Sequence, residues 1–254
     1  MSVTFVLALI LLVLMVVIGG KKGMGAFVSL WINFILLMGM LLLISWGFSM
    51  FMVLLIGSSL VLLITIYSAG ADEETTMVSL KSSLIVMLIL ILVIIPVEHL
   101  NFVQGFTVEN SEELEGLSLQ IGLNFGQLGI AAALLATLGA IAEASVAITS
   151  GLSEIMEHHP DMEVNKLIRS GYQLGYQIIG TALNTVLFGF MADFLSLGIM
   201  FAKLNYGIGD IVNSKLLVSA ILSMLYAFFG VIMVLPITLG LIKIHQLKVI
   251  NSEN

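Results

Sequence analysis

A carboxylate stands inside an apolar run at "GAIAEASVAI", residues 139–148. Placing Glu143 near the middle of a bilayer would cost about 2.5–3.5 kcal/mol on insertion scales, which makes such acids rare. Either this part of the helix lies outside the hydrocarbon, or the protein compensates the charge. Because an ionisable residue within a membrane span is functional by default, Glu143 is the first candidate site residue.

The residues around Glu143 place it on a small, polar face of one helix. At spacings of three and four residues, which share a helix face, the sequence has Gly129, Ala132, Ala136, Gly139, Glu143, Ala147, Ser150 and Glu154. A helix that starts near Phe125 would hold Glu143 in the cytoplasmic third of a span. We expect Glu143 to face protein near Gln177 of the next helix, or a partner, rather than lipid.

The next apolar segment, "SGYQLGYQIIGTALNTVLFGF", carries a matching pattern. Small residues share one face (Gly171, Gly175, Ala182, Thr185 and Gly189), and polar residues line an adjacent one (Gln173, Gln177, Thr181 and Asn184). Two consecutive polar stripes predict a polar seam between the helices. In one interpretation the seam is a pathway, with candidate residues Glu143, Ser150, Gln173, Gln177, Thr181 and Asn184. In the other the stripes only pack, and close helix approach occurs at Gly139, Gly171, Gly175 and Gly189.

The composition indicates what surrounds these helices. Of the 254 residues, 59% are hydrophobic and 10% are charged, and the mean hydropathy is +1.16. Soluble domains carry about a quarter charged residues, so the sequence predicts an all-α polytopic membrane protein in a lipid bilayer. The net charge of −7 argues against nucleic acid as a partner. The sequence has no cysteine, which excludes disulfides and thiolate chemistry.

Apolar stretches of the length that crosses a bilayer, about 20 residues, predict about seven transmembrane helices. They fall at roughly 2–18, 25–45, 47–68, 80–97, 124–148, 172–192 and 216–242. With the loops taken alternately, one side receives seven lysines and arginines and the other receives only Lys203 and Lys215. The positive-inside rule then places the N-terminus outside and the C-terminus in the cytoplasm.

The chain divides by composition into three parts. Residues 1–97 predict four apolar transmembrane helices suited to lipid contact or plain packing, and residues 98–118 predict an acidic extracellular loop. Residues 119–254 predict a membrane domain of three helices that holds the polar seam, so function is expected there. In its last helix Pro236 predicts a kink, and Thr238 or a neighbour is expected to bond the backbone carbonyl that proline frees.

Three segments of the second half carry motifs in a fixed order. "LGAIAEASVAITSGLSEI" resembles the pattern G-A-I-M-D-V-A-x-x-I, "LIRSGYQLGYQIIGTALNTVLFGF" resembles S-G-x-x-I-G-R-D-I-x-G-T-x-x-N-T-L, and "LPIT" follows. These are motifs of the YibE/F family of bacterial multi-pass membrane proteins, which the chain resembles over about residues 122–244. Residues 1–100 match in hydropathy alone. The resemblance implies a multi-pass protein of the bacterial cell membrane, similar in outline to a transport component.

The chain departs from the family pattern at two places. Ala142-Glu143 stands where the family has Met-Asp, which keeps the carboxylate, and Tyr176-Gln177 stands where the family has Arg-Asp, which removes both charges. The family often comes as a larger and a smaller subunit encoded together, and this chain resembles the smaller. The resemblance therefore implies a partner, a second YibE/F-like membrane subunit that retains the Arg-Asp pair. The alternative is a protonated Glu143 that hydrogen-bonds to Gln177 or Asn184 within one chain and needs no second subunit.

We expect a non-enzymatic subunit of a transport or export complex, with no catalytic residues, no cofactor and no metal. The alternative is a non-transporting membrane scaffold or receptor subunit. "GIGD" at 207–210, with Asp193, resembles an intramembrane aspartyl protease pair, but Asp210 falls in a polar loop. "EIMEHHPDME" offers carboxylates and histidines, yet adjacent histidines point to different faces and Pro160 ends the helix, which favours a solvated turn over a metal site.

Overall fold

The protein is a bundle of long helices. The computed structural model describes residues 3–69, 71–101, 125–160 and 162–253, with side chains for 3–69, 71–100, 129–160 and 162–244. The helices are α1 (Val3–Ser45), α2 (Met50–Ser68), α3 (Glu73–Asn101), α4 (Phe125–His158), α5 (Val164–Lys203), α6 (Ile208–Val212) and α7 (Lys215–Glu253). Six of these described helices are long and apolar enough to cross a membrane. The predicted fold class, an all-α polytopic membrane protein, is confirmed.

Helix α1 contains the first two predicted spans, joined by a bend rather than a loop. Gly20 has a φ of 54°, in the left-handed region that glycine adopts without steric cost. Beyond the bend the backbone of Gly23 lies against the carbonyl of Met15. A straight helix would hold two residues that far apart in sequence about 12 Å from each other. The chain therefore turns back sharply at Gly20, and residues 3–19 and 21–45 form two separate helical segments.

Helices α3, α4 and α7 pack against one another and form the centre of the bundle. Helix α2 covers α3 and α4, and α5 packs on α4 and α7. The central core is made of fully or almost fully buried aliphatic side chains, namely Val86, Met87, Leu90, Ile94, Leu134, Ile141, Ile148, Leu152, Val231 and Val234. Because lipid is as apolar as these side chains, it is close packing and interhelical hydrogen bonding that hold the helices together.

Helix α3 differs most from its expected role. The sequence assigned residues 1–97 to lipid contact or plain packing, whereas α3 lies at the centre of the bundle and buries five hydroxyl side chains, those of Thr75, Thr76, Ser79, Ser82 and Ser83. Its outer face, with Lys81 and Leu88, is exposed. Lipid-type surface within 1–97 belongs mainly to α1, which packs chiefly on α2 among the described helices.

The ends of α3 also differ from the predicted span of 80–97. The helix begins at Glu73, where the carboxylate of Asp72 accepts a hydrogen bond from the backbone N–H of Thr75 at 2.9 Å. This is an N-terminal cap. At the other end the helix continues to Asn101, so that residues 98–101, which the sequence assigned to the acidic loop, form its last turn. The rest of that predicted loop lies outside the described residues.

Candidate functional site

An open groove between α4 and α5 contains the residue that the sequence singles out. It has a volume of about 610 Å³ and is lined by Glu143, Ala144, Ala147, Gln177, Ile178, Thr181 and Ala182. The groove exists because three of the seven lining side chains are alanines, which leave space between the two helices. Three candidate residues, Glu143, Gln177 and Thr181, thus lie together.

Glu143 is exposed within this groove. It lies fifteen residues before the end of α4 at His158, a distance of about 22 Å along the helix. Within the described part of the chain its carboxylate makes no hydrogen bond and no ion pair, including none to Gln177 or Asn184. In a bilayer, an ionised carboxylate here needs solvation from water or from protein other than these described residues.

The other candidate residues on α5 lie on its outward side. Gln173, Gln177, Thr181 and Asn184 are all exposed, and so is Arg169, which was not a candidate; together these five residues are called the α5 polar face. The hydroxyl of Thr181 donates to the backbone oxygen of Gln177 at 3.2 Å, so that side chain is satisfied within its own helix. Ser150, on α4, is half-buried and does not line the groove.

The four candidate packing glycines fall into two groups. Gly171 lies against Leu239 and Leu152, and Gly175 lies against Leu235, so both permit the close approach of α5 to the core. Gly139 and Gly189 have no atom of another described residue near the place where a side chain would begin. These two positions are therefore not packing positions within the described part of the chain.

A group of hydroxyls joins α3 to α4 in the interior. Ser79 is hydrogen-bonded to Thr149, Ser82 is hydrogen-bonded to Ser145, and the Ser145 hydroxyl also reaches the backbone oxygen of Ser79 at 3.0 Å. We call Ser79, Ser82, Ser145 and Thr149 the hydroxyl cluster. Its members are buried, and its hydrogen bonds fix the register of the two helices.

A buried acid lies near the other end of α3. The hydroxyl of Tyr226 on α7 donates a hydrogen bond to Oε1 of Glu98 at 3.1 Å. Glu98 is 6% exposed and Tyr226 is 4% exposed. Between this pair and the hydroxyl cluster, α3 contributes four apolar side chains that are at most 1% exposed: Val86, Met87, Leu90 and Ile94. We call these four residues the apolar band.

Comparison with known proteins shows which family the chain belongs to. A family model described as YibE/F-like protein matches residues 7–246. The chain belongs to the YibE/F-like family. The match extends well beyond residues 122–244, over which the motifs are recognisable, and takes in α1, α2 and α3. No curated protein and no solved structure matches the chain.

In this YibE/F-like protein, Thr238 does not bond the carbonyl that Pro236 frees. Helix α7 continues through Pro236 as one helix. Proline leaves unpaired the carbonyl four residues earlier, that of Ile232, which is exposed. Thr238 is buried, and its hydroxyl has no hydrogen-bond partner among the described residues. Two residues along a helix differ by about 200° in direction, so Thr238 and Pro236 lie on different sides of α7.

The remaining polar motifs lie at helix ends and surfaces. The Asp210 carboxylate accepts a hydrogen bond from the backbone N–H of Gly207 at 3.0 Å, which caps the short α6, and Asp193 is exposed on α5. The His158 ring nitrogen Nδ1 bonds the backbone oxygen of Glu154 at 2.9 Å at the end of α4. Among the described residues, which leave out Asp161, no three acids or histidines converge on one point.

Two polar features of this YibE/F-like protein were missed in the sequence, although each left a signal. The hydroxyls of α3 recur at Thr75, Ser79, Ser82 and Ser83, spacings of three and four that predict one helix face. Glu98 follows "IIPV", and membrane helices tolerate proline because neighbouring groups satisfy the freed backbone. Extending the helix past Pro96 would have placed Glu98 in the bilayer.

Proposed function

We propose that this YibE/F-like protein is a non-catalytic membrane subunit of a transport or export complex in the bacterial cell membrane, and that the groove of Glu143 is one wall of its polar path. The position of Glu143 carries this proposal. It is an exposed carboxylate far from the end of its helix, without a partner in the described chain. A charge at that depth is retained where water or a second protein lies beside it.

The proposed partner is a second YibE/F-like membrane subunit. The α5 polar face is exposed over about four turns, and Tyr176-Gln177 stands where the family motif has Arg-Asp. A subunit that keeps the arginine could place a guanidinium near Glu143, where a charge-assisted hydrogen bond would be strong. Gly139 and Gly189, with no described residue against them, offer positions for close helix approach.

A scaffold or receptor subunit is the second candidate, and one observation favours it. The hydroxyls of Thr181 and Thr185 both donate to carbonyls of their own helix, at 3.2 and 3.1 Å. The hydroxyl hydrogens of these side chains therefore already have acceptors and need no water. In a scaffold, the partner's side chains would fill the groove and no path would exist.

Cysteine accessibility separates the two candidates without knowledge of the substrate. Because the natural sequence has no cysteine, Gln177→Cys and Phe188→Cys each create a single thiol. Phe188 is 71% exposed on the same helix and serves as a lipid-facing control. For a polar path we expect a small water-soluble thiol reagent to modify Gln177→Cys in whole cells but not Phe188→Cys. If both cysteines were equally protected from the reagent, in a complex shown to be assembled, the result would contradict a polar path.

Purification in mild detergent tests the partner. We expect an approximately equimolar second polytopic chain carrying the Arg-Asp motif, and we expect Glu143→Gln to preserve the fold yet to reduce the recovery of that chain. Glu143→Leu should disturb packing as well. Glu154→Gln, which removes an exposed charge near the end of the same helix, is the matched control. A stable, active monomer would refute the complex.

A further inference from the structure

We propose that Glu98 and Tyr226 form a proton-binding site inside the bundle, separate from the groove of Glu143. The pair joins α3 to α7 through a hydrogen bond of 3.1 Å, and both side chains are at least nine-tenths buried. The proposal does not depend on a transport role, because it rests on the burial and surroundings of one carboxyl group.

No cation lies near Glu98 in the described part of the chain. On α7 the nearest lysine in sequence is Lys215, eleven residues before Tyr226 and about 16 Å away along the helix. The ion pair between Lys166 and Glu163 is on α5 and its N-terminal flank, away from Glu98. His99 follows Glu98 in the chain, but its side chain is exposed.

The helices that pack on α3 bring no further charge to Glu98. On α4, the pairs Ser79–Thr149 and Ser82–Ser145 show that numbers fall along α4 as they rise along α3. Glu98 is therefore level with the residues near Ile130, and Glu143 is about 20 Å away along α4. Glu154, Glu157 and His158 are farther in the same direction. On α2 the titratable side chain is Tyr67, which is exposed at the opposite end of the bundle.

A proton is the ligand that fits this environment. An ionised carboxylate buried without a cation costs several kcal/mol, whereas a neutral carboxyl group needs only hydrogen bonds. Tyr226 donates to Oε1 of Glu98, which leaves Oε2 to carry the proton. Tyrosine has one O–H donor, and here Glu98 accepts it. The arrangement suits a carboxylic acid that stays neutral while it is buried and can lose its proton when water reaches it.

The Glu98–Tyr226 site can exchange protons with water on one side. Toward the hydroxyl cluster the four side chains of the apolar band are buried and carry no polar atom, and the nearby Thr137 hydroxyl on α4 already donates to the backbone oxygen of Leu134 at 2.6 Å. In the other direction α3 ends at Asn101, three residues beyond Glu98. Protons are therefore expected to enter from the end of the bundle where residues 102–124 follow.

Infrared spectroscopy of the purified chain in lipid tests the site. At neutral pH we expect a carboxylic-acid carbonyl band that is lost in Glu98→Gln, is retained in Glu143→Gln, and moves to higher frequency in Tyr226→Phe, which removes the hydrogen bond. In heavy water the band should shift as the acid proton exchanges for deuterium.

Each outcome is decisive. A wild-type spectrum without such a band, or a band unaffected by Glu98→Gln, overturns the proposal, because Glu98 is then ionised. A band that does not shift in heavy water also overturns it, because the proton is then a fixed part of the core. If Glu98→Gln fails to fold, the shift in Tyr226→Phe and the exchange in the wild-type protein still assign the band. None of these results depends on whether the groove of Glu143 transports anything.

Discussion

The hydroxyl of Ser145 donates a hydrogen bond to the backbone oxygen of Ser79, 3.0 Å away, and is also bonded to Ser82. Interhelical hydrogen bonds of this kind contribute about 0.6 kcal/mol on average and up to about 1.7 kcal/mol in membrane proteins. We expect Ser145→Ala to lower the stability of the detergent-solubilised protein by an amount in that range. Ser150→Ala, on the same helix but outside the hydroxyl cluster, should leave the unfolding temperature nearly unchanged.

A larger effect is expected where α5 meets α7. Gly175 lies against Leu235, so a side chain at this position would overlap it. Overpacking of this kind costs about 1–3 kcal/mol, and Gly175→Val should lower the unfolding temperature clearly. The matched change is Gly180→Val on the same helix, where no atom lies within 4 Å. Equal losses from both would mean that helix propensity, and not packing, explains the effect.

The cap of α3 should make stability depend on acid pH. Hydrogen bonds from the side chain and the backbone of Thr75 hold the pKa of Asp72 below its ordinary range. A depressed pKa means that the stabilisation is present above the ordinary value, about 3.9, and is lost as pH falls through the lower folded value. Asp72→Ala is expected to cost about 0.5–2 kcal/mol at neutral pH, and this difference should shrink in stronger acid.

Asp72→Asn provides the control for that experiment. Asparagine caps helices about as well as aspartate but does not titrate. Thermal unfolding of this variant should therefore resemble that of the wild-type protein at neutral pH and should not show its acid-dependent loss. If Asp72→Ala were equally destabilised at every pH, the cap would not be the source of the pH dependence.

Single cysteines test the predicted orientation. We expect an impermeant maleimide to label Asn110→Cys in intact cells, because the positive-inside rule places residues 98–118 outside. Lys21→Cys and His159→Cys should react only after the membrane is opened. Labelling of Asn110→Cys and His159→Cys from the same side would refute the predicted topology.

The sequence predicts where the helices lie along the chain better than it predicts which helices pack against one another. Length and hydropathy located the spans, because about 20 apolar residues are needed to cross a bilayer, and the start of α4 near Phe125 agrees with the structure. The polar stripes drew attention to Glu143 and Gln177, which line one groove. These features are local, because each depends on residues of one helix at fixed spacing.

The central position of α3 could not be predicted in this way. Val86 and Met87 are buried, whereas Ile85 and Leu88, of the same chemical kind, are exposed. In water, the exposed face of a helix would be polar. In lipid both faces are apolar, so hydropathy does not distinguish core from surface. The pairing of Glu98 with Tyr226 was hidden for a further reason, since the two are distant in sequence and only the packing of α3 on α7 joins them.

The apolar band also determines whether the protein would let ions leak across the membrane of the cell that makes it. Val86, Met87, Leu90 and Ile94 line the α3 side of the bundle between its two polar regions, and a chain of waters needs polar partners that these side chains do not have. Along α3, the part of the chain that the structure describes therefore offers ions no wetted passage between the two polar regions. A cell that overproduces the chain alone should keep its membrane potential, and its respiration should remain coupled to ATP synthesis.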